Sequence, residues 1–426
     1  MLDLNLIRKD PDLVQKALKK KLCEVDFSEF LEWDKKQCAL KREAEGLKAE
    51  KNKASAAISK LKEEEEDIQL VLAKQKAISA RIKELDAQIA ELEVEINNFM
   101  DSLPNLPDKD LLPGGKENNK VISEWGKKPD LPSKAKDHLK LAKDLGLIDY
   151  EKGVKLGGNG FWAYRKEGAL LEWALLNYFI EEHLKDGYEF ILLPHILTYQ
   201  CGYTAGQFPK FEDDVFAIKE SEGRGFAQFM LPTAETALVN LHRNEILKEE
   251  DLPKKYFAYT PCYRKEAGGY RAEEKGMIRG HQFNKVEMVQ YTRPEDSDAA
   301  FKDLVQKAEK LVQGLGLHYR VSKLAAADCA FAMAKTYDIE VWLPSMNTYK
   351  EVSSVSNAKD FQARRGKMRF RRNTTKKLEF VHTLNGSGLA TSRLFPAILE
   401  QFQQDDGSVL VPEVLRKWVK KEILTM

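Results

Sequence analysis

The chain has 426 residues, of which 43% are hydrophobic, and this is enough for two or three domains with a sizeable buried core. Its 68 lysine and arginine residues nearly balance 67 aspartate and glutamate residues, so the net charge of +1 excludes nucleic-acid binding driven by overall charge and leaves only local basic patches. Five cysteines, an odd number without a CxxC pair, argue against a disulfide framework or a zinc ribbon and favour a reducing compartment.

Membrane segments are not expected either. The N-terminus lacks a basic region followed by a long apolar run, and the apolar run at 190–197 is short and broken by Pro194. We therefore expect a globular cytoplasmic protein with no membrane association.

Residues 1–103 are expected to form an N-terminal domain dominated by a helical hairpin. Apolar side chains recur at alternating spacings of three and four residues over 33–61 and again over 68–99, which is the heptad pattern of packed helices. Two such helices so close in sequence are expected to fold back on each other, with the turn near Glu66, into an antiparallel arm over about 27–100. The alternative is a coiled coil between subunits, which is disfavoured because internal pairing already buries both seams.

Charge is banded along this arm. Residues 35–62 include nine basic and three acidic residues, whereas residues 63–67 at the expected tip are all acidic. A basic band suits a polyanion, since each neutralised phosphate releases counterions. The band therefore suggests a nucleic-acid contact, and the alternative is an ordinary solvated helix face.

Residues 104–133 contain several prolines and glycines without sustained periodicity, which predicts a linker to a larger domain over 134–426. Near the start of that domain, residues 170–184 have the pattern of an apolar-faced helix. A strand at 188–193 follows, and Pro194 ends it. A long helix, a strand and a terminal proline in this order can form a dimer surface.

The densest group of functional side chains lies on a predicted β-hairpin. Its two strands, 253–263 and 282–291, are rich in aromatic and apolar residues, whereas the chain between them is charged and glycine-rich. Two arginines can grip phosphates, one acid can accept from an exocyclic amine, an aromatic ring offers a stacking face, and a second acid can hold an ammonium. In that order these are Arg264 and Arg279, Glu266, Phe283 and Glu287. The pattern predicts an ATP site, with a solvated charged hairpin as the alternative.

Together these motifs resemble those of the bacterial-type seryl-tRNA synthetases, a family of class II aminoacyl-tRNA synthetases. The helix, strand and Pro194 resemble the first class II motif, and the hairpin from Arg264-x-Glu266 to Arg279 resembles the second. The third is resembled by Leu384-Asn385-Gly386-Ser387-Gly388-Leu389-Ala390-Thr391-Ser392-Arg393. Serine is indicated by the arm together with Leu231-Pro232-Thr233-Ala234-Glu235, Gln282-Phe283-x-Lys285-Val286-Glu287, Glu351-Val352-Ser353-Ser354 and Phe361-Gln362-Ala363-Arg364-Arg365.

The resemblance covers essentially the whole chain and implies an α+β fold, in which the coiled-coil arm precedes a catalytic domain with an antiparallel sheet flanked by helices. It implies a homodimer that activates L-serine with ATP and transfers the seryl group to tRNA(Ser), and also to tRNA(Sec), without a general base. The arm is expected to hold tRNA across the subunit boundary.

The resemblance also assigns roles to individual side chains. The catalytic residues it implies are Arg264, Arg279 and Arg393. The serine contacts are Thr233, Ala234, Glu235, Glu287, Asn385 and Ser387. The ATP contacts are Arg264, Lys265, Glu266, Arg279, Phe283, Glu351, Val352, Ser353, Ser354 and Arg393. Mg²⁺ is expected on Glu351 and Ser354, because this hard cation prefers oxygen ligands and keeps several waters.

The chain departs from the family pattern in the hairpin loop. Tyr270 and Arg271 replace small residues, and Lys275 replaces an arginine; these changes concern the tRNA acceptor end more than ATP. Two other functions are open at this point. A seryl ligase that loads a carrier protein is disfavoured by the long arm, and a catalytically inactive tRNA-binding paralogue is disfavoured by the intact charged residues of the hairpin.

Overall fold

The computed structural model describes residues 1–63, 69–218, 227–266 and 276–426. The chain divides into two compact units. One comprises Leu2–Leu18 and Cys23–Pro104, and the other comprises Met1, Lys19–Leu22 and Asn105–Met426. The expected turn near Glu66 and the acidic residues 64–67 lie outside the described residues, as do Tyr270, Arg271 and Lys275.

The N-terminal unit is helical. Its helices are α1 (Leu4–Lys9), α2 (Pro11–Lys19), α3 (Ser28–Glu63) and α4 (Gln69–Ser102). Helix α3 has 36 residues and α4 has 34. At a rise of 1.5 Å per residue, each is about 50 Å long.

Helices α3 and α4 pack antiparallel, as the heptad pattern predicted. At their base the Phe99 ring stacks on Phe30 with 4.8 Å between centroids and meets Trp33 edge-on at 6.4 Å. Further along the seam, Leu85 and Ile78 of α4 are buried. The predicted pairing of Trp33 with Phe99 is therefore confirmed.

Ion pairs join the two helices along the arm. Lys48 of the basic band contacts Asp86 of α4 at 3.0 Å. Two cations of α4 contact acidic residues of α3, Lys74 with Glu50 at 2.7 Å and Arg81 with Glu43 at 2.9 Å. All three pairs are exposed, so they add little to the stability of the arm.

The second unit contains the remaining helices and the strands. Its helices are α5 (His138–Asp144), α6 (Tyr150–Gly157), α7 (Lys166–Lys185), α8 (Tyr199–Ala205), α9 (Glu235–Leu238), α10 (Ser297–Gly314), α11 (Phe361–Gly366), α12 (Thr391–Gln401) and α13 (Arg416–Val419). Its strands are β1 (Lys120–Trp125), β2 (Ile148–Asp149), β3 (Ala163–Tyr164), β4 (Glu189–Phe190), β5 (Ile196–Thr198), β6 (Ala217–Ile218), β7 (Gln228–Met230), β8 (Ile246–Lys248), β9 (Lys254–Tyr263), β10 (Gln282–Thr292), β11 (Tyr319–Lys323), β12 (Lys335–Leu343), β13 (Thr348–Lys359), β14 (Arg369–Arg371), β15 (Leu378–Phe380), β16 (His382–Ala390), β17 (Val409–Leu410) and β18 (Ile423–Leu424).

One large sheet organises this unit. Its strand order is β1-β11-β12-β13-β16-β10-β9-β4. Every neighbouring pair is antiparallel except β4 and β9, which are parallel. Helices α7, α10 and α12 cover the sheet, and their apolar faces join Phe257 and Val286 in the main core. The predicted antiparallel sheet flanked by helices is confirmed.

The predicted β-hairpin is β9 and β10. Tyr263 pairs with Gln282 at the loop end, and Lys254 pairs with Tyr291 at the open end. Both strands lie in the middle of the sheet, where burial on both faces explains their aromatic and apolar composition.

Two stretches differ from their sequence-based expectations. The expected linker contains β1, which pairs with β11, and the Asn105 amide in it donates to the carbonyls of Ala332 (2.9 Å) and Ala358 (2.8 Å). All six residues of β1 are exposed, so this edge strand lacks the alternation that burial of one face produces. The strand expected at 188–193 is only Glu189–Phe190, since the apolar residues after it leave the sheet.

Among the described helices, none is long and apolar enough to span a membrane.

Candidate active site

A cleft of about 240 Å³ opens between the β9–β10 hairpin, strand β13 and the start of α12. Its lining residues are Arg264, Glu266, Ile278, Arg279, Gly280, Phe283, Lys285, Glu351, Val352, Ser387, Ala390, Ser392 and Arg393. Most residues expected to bind ATP are thus brought together. Lys265 and Ser353 do not line the cleft: the Lys265 side chain is exposed, and the buried Ser353 hydroxyl donates to the Ser387 carbonyl (2.6 Å).

Arg264 is fixed at the end of β9. Its Nε donates to the Pro232 carbonyl (3.2 Å), and its N–H donates to the His281 carbonyl (3.0 Å) on the returning chain. The guanidinium carbon lies 5.1 Å from the centroid of the Phe283 ring, a cation–π distance. The hairpin therefore places one cation and one aromatic face side by side in the cleft.

Arg279 and Glu266 contact each other across the hairpin loop. Arg279 Nη2 lies 2.5 Å from Glu266 Oε2. Glu266 has a φ of 52°, in the left-handed region that non-glycine residues adopt only when their surroundings stabilise it. The two side chains thus neutralise each other inside the cleft.

Arg393 enters the cleft from the first turn of α12. Its Nη1 donates to the Glu351 carbonyl (2.7 Å) and lies 3.3 Å from Glu351 Oε2. The strand before it approaches α7 so closely that a β-carbon on Gly388 would lie 2.2 Å from His183 Nε2. A glycine is required there because any side chain would push β16, and Arg393 after it, away from the helix.

A buried polar pocket adjoins the cleft behind Lys285. The Lys285 ammonium forms an ion pair with Glu287 and donates to the Thr233 hydroxyl at 2.7 Å. Ser387 Oγ lies 3.3 Å from Glu287 Oε2. Lys285 and Ser387 also line the cleft, so the pocket and the cleft share a wall.

Glu235 forms the far side of this pocket. Its oxygens accept from Gln362 Nε2 (2.9 Å) and Asn385 Nδ2 (3.2 Å). Burial of the carboxyl group, with the nearby Glu287 charge, raises the pKa of Glu235 to about 7, while Lys285 partly offsets the rise. Ala234 is buried, and its carbonyl accepts from the Leu238 N–H (2.9 Å), which starts the short helix that carries Glu235.

Two residues of this pocket were not assigned a role from the sequence. Lys285 is two residues before Glu287 on β10, so alternation places both side chains on one face, and this spacing was the available signal. Gln362 is held between the Ala205 carbonyl (3.0 Å) and the Thr383 hydroxyl (2.6 Å). No sequence signal connects it with Glu235, because 127 positions separate the two.

The expected Mg²⁺ ligands lie at the other end of the cleft. Glu351 and Ser354 line an adjoining cavity of about 400 Å³ together with Asp328, Asp338 and Glu340. Burial, reinforced by the Glu351 charge, raises the pKa of Asp338, whose Oδ1 is buried without a hydrogen-bond partner among the described residues. Within the same residues, no three His, Cys, Asp or Glu side chains are preassembled as a metal cage.

Comparison with known proteins agrees with this fold. A family model described as the tRNA synthetase class II core domain (G, H, P, S and T) matches residues 218–402. The antiparallel sheet, the arginine-lined cleft and this match define a class II aminoacyl-tRNA synthetase, an ATP-dependent aminoacyl-tRNA ligase.

The N-terminal unit and the full-length relatives define the family. A model described as the seryl-tRNA synthetase N-terminal domain matches residues 1–107. The chain is 64% identical over 426 residues, covering 100% of both chains, to serine–tRNA ligase 2 of Clostridium acetobutylicum. It therefore belongs to the seryl-tRNA synthetase family.

Solved structures agree. Seryl-tRNA synthetase from Pyrococcus horikoshii, complexed with ATP, is 34% identical with a TM-score of 0.91, covering 100% of this chain and 99% of that one. The cytoplasmic serine–tRNA ligase of Naegleria fowleri, in complex with AMP, is 26% identical with a TM-score of 0.86 and the same coverage.

Proposed function

We propose that this chain activates L-serine with ATP to seryl-adenylate and then transfers the seryl group to the 3′ end of tRNA(Ser). The observation that carries the proposal is the shared wall between an arginine-lined cleft and a buried acidic pocket. The cleft suits a polyphosphate, and the pocket suits an ammonium and a hydroxyl. The serine carboxylate and the α-phosphate of ATP then meet at the wall shared by the pocket and the cleft, which Lys285 and Ser387 form.

The nucleotide occupies the cleft. Arg264 binds the α-phosphate and Arg279 the distal phosphates, while adenine lies between Phe283 and Arg393. In the structure Arg279 is paired with Glu266. ATP exchanges this ion pair for two new contacts, one from Arg279 to phosphate and one from the adenine amine to Glu266.

Serine occupies the pocket. Glu287 binds the ammonium, and Glu235 accepts from the hydroxyl. Lys285 forms an ion pair with Glu287 in the structure, and once the serine ammonium takes its place, Lys285 is available to the serine carboxylate. Alanine lacks the hydroxyl and leaves Glu235 buried without that partner. Sites that discriminate through a hydrogen bond of this kind reject the analogue by roughly 10⁴-fold.

The chemistry requires positioning and charge stabilisation more than proton transfer. A serine carboxylate oxygen attacks the α-phosphorus, and pyrophosphate leaves. The terminal tRNA hydroxyl then attacks the seryl carbonyl carbon, and AMP leaves. The serine carboxylate is already ionised, so the first step needs no general base, and the arginines stabilise the charge that develops on phosphate.

Glu351 and Ser354 fit a magnesium ion. Both contribute oxygen atoms to a cavity that also contains the unpartnered Asp338 Oδ1. One or two protein oxygens, with waters and phosphates completing the octahedron, is the arrangement that Mg²⁺ prefers. When bound, the ion neutralises phosphate charge, and Glu351 also orients Arg393 through the contacts described above.

We further propose a homodimer, formed through α7 and the chain after β4. This face exposes large apolar side chains: Leu170 is 46% exposed, Trp173 is 53% exposed and Leu192 is 76% exposed. Apolar residues exposed together mark interaction surfaces. Sedimentation should give a dimer mass for the parent and a monomer mass for Trp173→Glu. A cytoplasmic location is also proposed, because an odd number of cysteines without a CxxC pair suits a reducing compartment.

The decisive experiment combines two assays. Serine-dependent exchange between ATP and pyrophosphate tests adenylate formation, with alanine and threonine as matched competitors. Charging of tRNA(Ser), with tRNA(Sec) as a second substrate, tests transfer. Exchange without any charging of tRNA would favour a carrier-protein ligase, and tRNA binding without exchange would favour an inactive paralogue.

A further inference from the structure

Glu172 is a buried carboxylate in the middle of α7, only 3% exposed. It belongs to none of the ion pairs formed by the described residues. Burial raises its pKa to about 7, against the effect of hydrogen bonds from Thr391 and Asn284. A buried carboxylate without a nearby cation destabilises the fold.

One oxygen of Glu172 joins two segments of the cleft. Its Oε1 accepts from Asn284 Nδ2 (2.7 Å) and from Thr391 Oγ1 (2.6 Å). Asn284 follows Phe283 directly on β10, and Thr391 is in the same helical turn as Arg393. Glu172 thus contacts the residue that follows Phe283 and the residue two positions before Arg393, the two side chains assigned to adenine.

The sheet itself holds these segments together only loosely. Strands β10 and β16 pair regularly from Thr292 to Glu287, but the register shifts between Glu287 and Lys285, and the pairing ends at Lys285 with Ala390. Irregular pairing of this kind bends the strand and leaves part of the ladder unpaired. Beyond the sheet, the two segments are joined by one direct hydrogen bond, from the Thr391 hydroxyl to the Asn284 carbonyl (3.1 Å), and by the Glu172 oxygen that both side chains share.

We propose that Glu172 is a positioning residue for the nucleotide: through Asn284 and Thr391 it holds the strand that carries Phe283 against the helix that carries Arg393. This inference rests on the proposed function, in which those two side chains clamp adenine. The serine pocket is held by a separate set of hydrogen bonds, through Gln362, Asn385 and Thr233. Loss of Glu172 should therefore affect ATP much more than serine.

Three variants test the proposal. Glu172→Ala removes the shared acceptor, so the Asn284 amide loses its bond to Glu172 and the Thr391 hydroxyl keeps only the Asn284 carbonyl (3.1 Å). Glu172→Gln keeps a carbonyl oxygen that can accept from both. Leu175→Ala, on the same helix and fully buried, is the control for lost core stability, because removing a buried leucine side chain destabilises a protein without touching Asn284 or Thr391.

Equilibrium ATP binding is measured without serine, followed by KM for ATP and for serine in the exchange assay, with thermal unfolding of each variant. Glu172→Ala should weaken ATP binding by about tenfold, the size expected for a lost buried hydrogen bond, with KM for serine unchanged. Glu172→Gln should remain close to the parent. Leu175→Ala should lower the unfolding temperature and leave both substrate constants unchanged.

The outcomes separate cleanly. Equal losses for ATP and serine in Glu172→Ala, or the same pattern in Leu175→Ala, would make Glu172 a purely structural residue and overturn the proposal. Unchanged ATP binding by Glu172→Ala would do the same. A parent chain that binds ATP but shows no serine-dependent exchange would contradict the proposed function, while the ATP-binding comparison would still test Glu172.

Discussion

Serine affinity should depend on the ionisation of Glu235. The pKa of this carboxyl is raised to about 7, mainly by burial and next by Glu287, against the opposing charges of Lys285 and Arg264. The charged form is the stronger acceptor for the serine hydroxyl, and the serine ammonium stabilises it further. Serine should therefore bind the ionised form, and at low pH the free energy needed to deprotonate Glu235 should weaken its apparent affinity.

The magnitude follows from the position of that pKa. Well above pH 7 the carboxyl is already ionised, and KM for serine should be constant. One pH unit below the pKa only about a tenth of the sites are ionised, so KM for serine should be about tenfold higher at pH 6 than at pH 8. The amino and carboxyl groups of free serine do not titrate in this interval.

The assay is ATP–pyrophosphate exchange from pH 6 to pH 8, with KM for serine and for ATP determined at each pH. Glu235→Gln provides the matched variant. Its KM for serine should be raised by roughly tenfold or more, because a hydrogen bond to a charged group is lost, and it should no longer change with pH. A flat parent profile would refute the reasoning. A Glu235→Gln profile that kept the parent's slope would show that a group other than Glu235 titrates.

Three further predictions concern stability and the arm. The folded-state pKa values of Glu172 and Glu235 both lie above the unfolded value of 4.5, so each stabilises the fold below pH 4.5 and loses that contribution as pH rises through about 7. Urea unfolding should therefore show about 3 kcal/mol less stability per group at pH 8 than at pH 4.5. In Glu235→Gln, the dependence of stability on pH should be smaller by the contribution of one group. Deleting residues 36–95 and joining the helix stubs should leave adenylate formation nearly unchanged while abolishing tRNA charging, and normal charging by this variant would contradict a tRNA-binding arm. Replacing Lys53 and Lys76 by glutamine should reduce the slope of log K against log salt for tRNA binding by about 0.7 to 0.9 per lost phosphate contact. Replacing Lys48 and Lys74, which are ion-paired, should reduce the slope less, and equal effects from the two pairs of lysines would contradict this distinction.

Local patterns in the sequence were sufficient to predict the main elements. The β9–β10 hairpin was predicted within about one residue at each strand end, because both strands lie in the centre of the sheet and their composition reflects burial on both faces. The arm was predicted because its heptad seam records a single long contact between two adjacent helices. Strand β1 was missed since an exposed edge strand carries no such record.

Contacts between distant residues had no local signal. In the sequence, nothing distinguishes Glu172 from the other acidic residues of α7. Its hydrogen-bond donors, Asn284 and Thr391, lie 112 and 219 positions away. Likewise, the mutual neutralisation of Glu266 and Arg279 depends on the path of the hairpin loop. The motifs therefore predicted which residues belong to the site, whereas the contacts that these residues make with one another in the structure could not be predicted.

Because α3 and α4 pair antiparallel, the length of the arm can change while its base stays the same. The chain enters and leaves it at one place, where the rings of Phe27 and Phe99 lie 5.9 Å apart. Removing seven residues from each helix would keep the seam in register and shorten the arm by about 10 Å, while the aromatic base stayed in place. Heptad-sized changes of this kind would alter the length of the arm while the contacts at its base stayed the same.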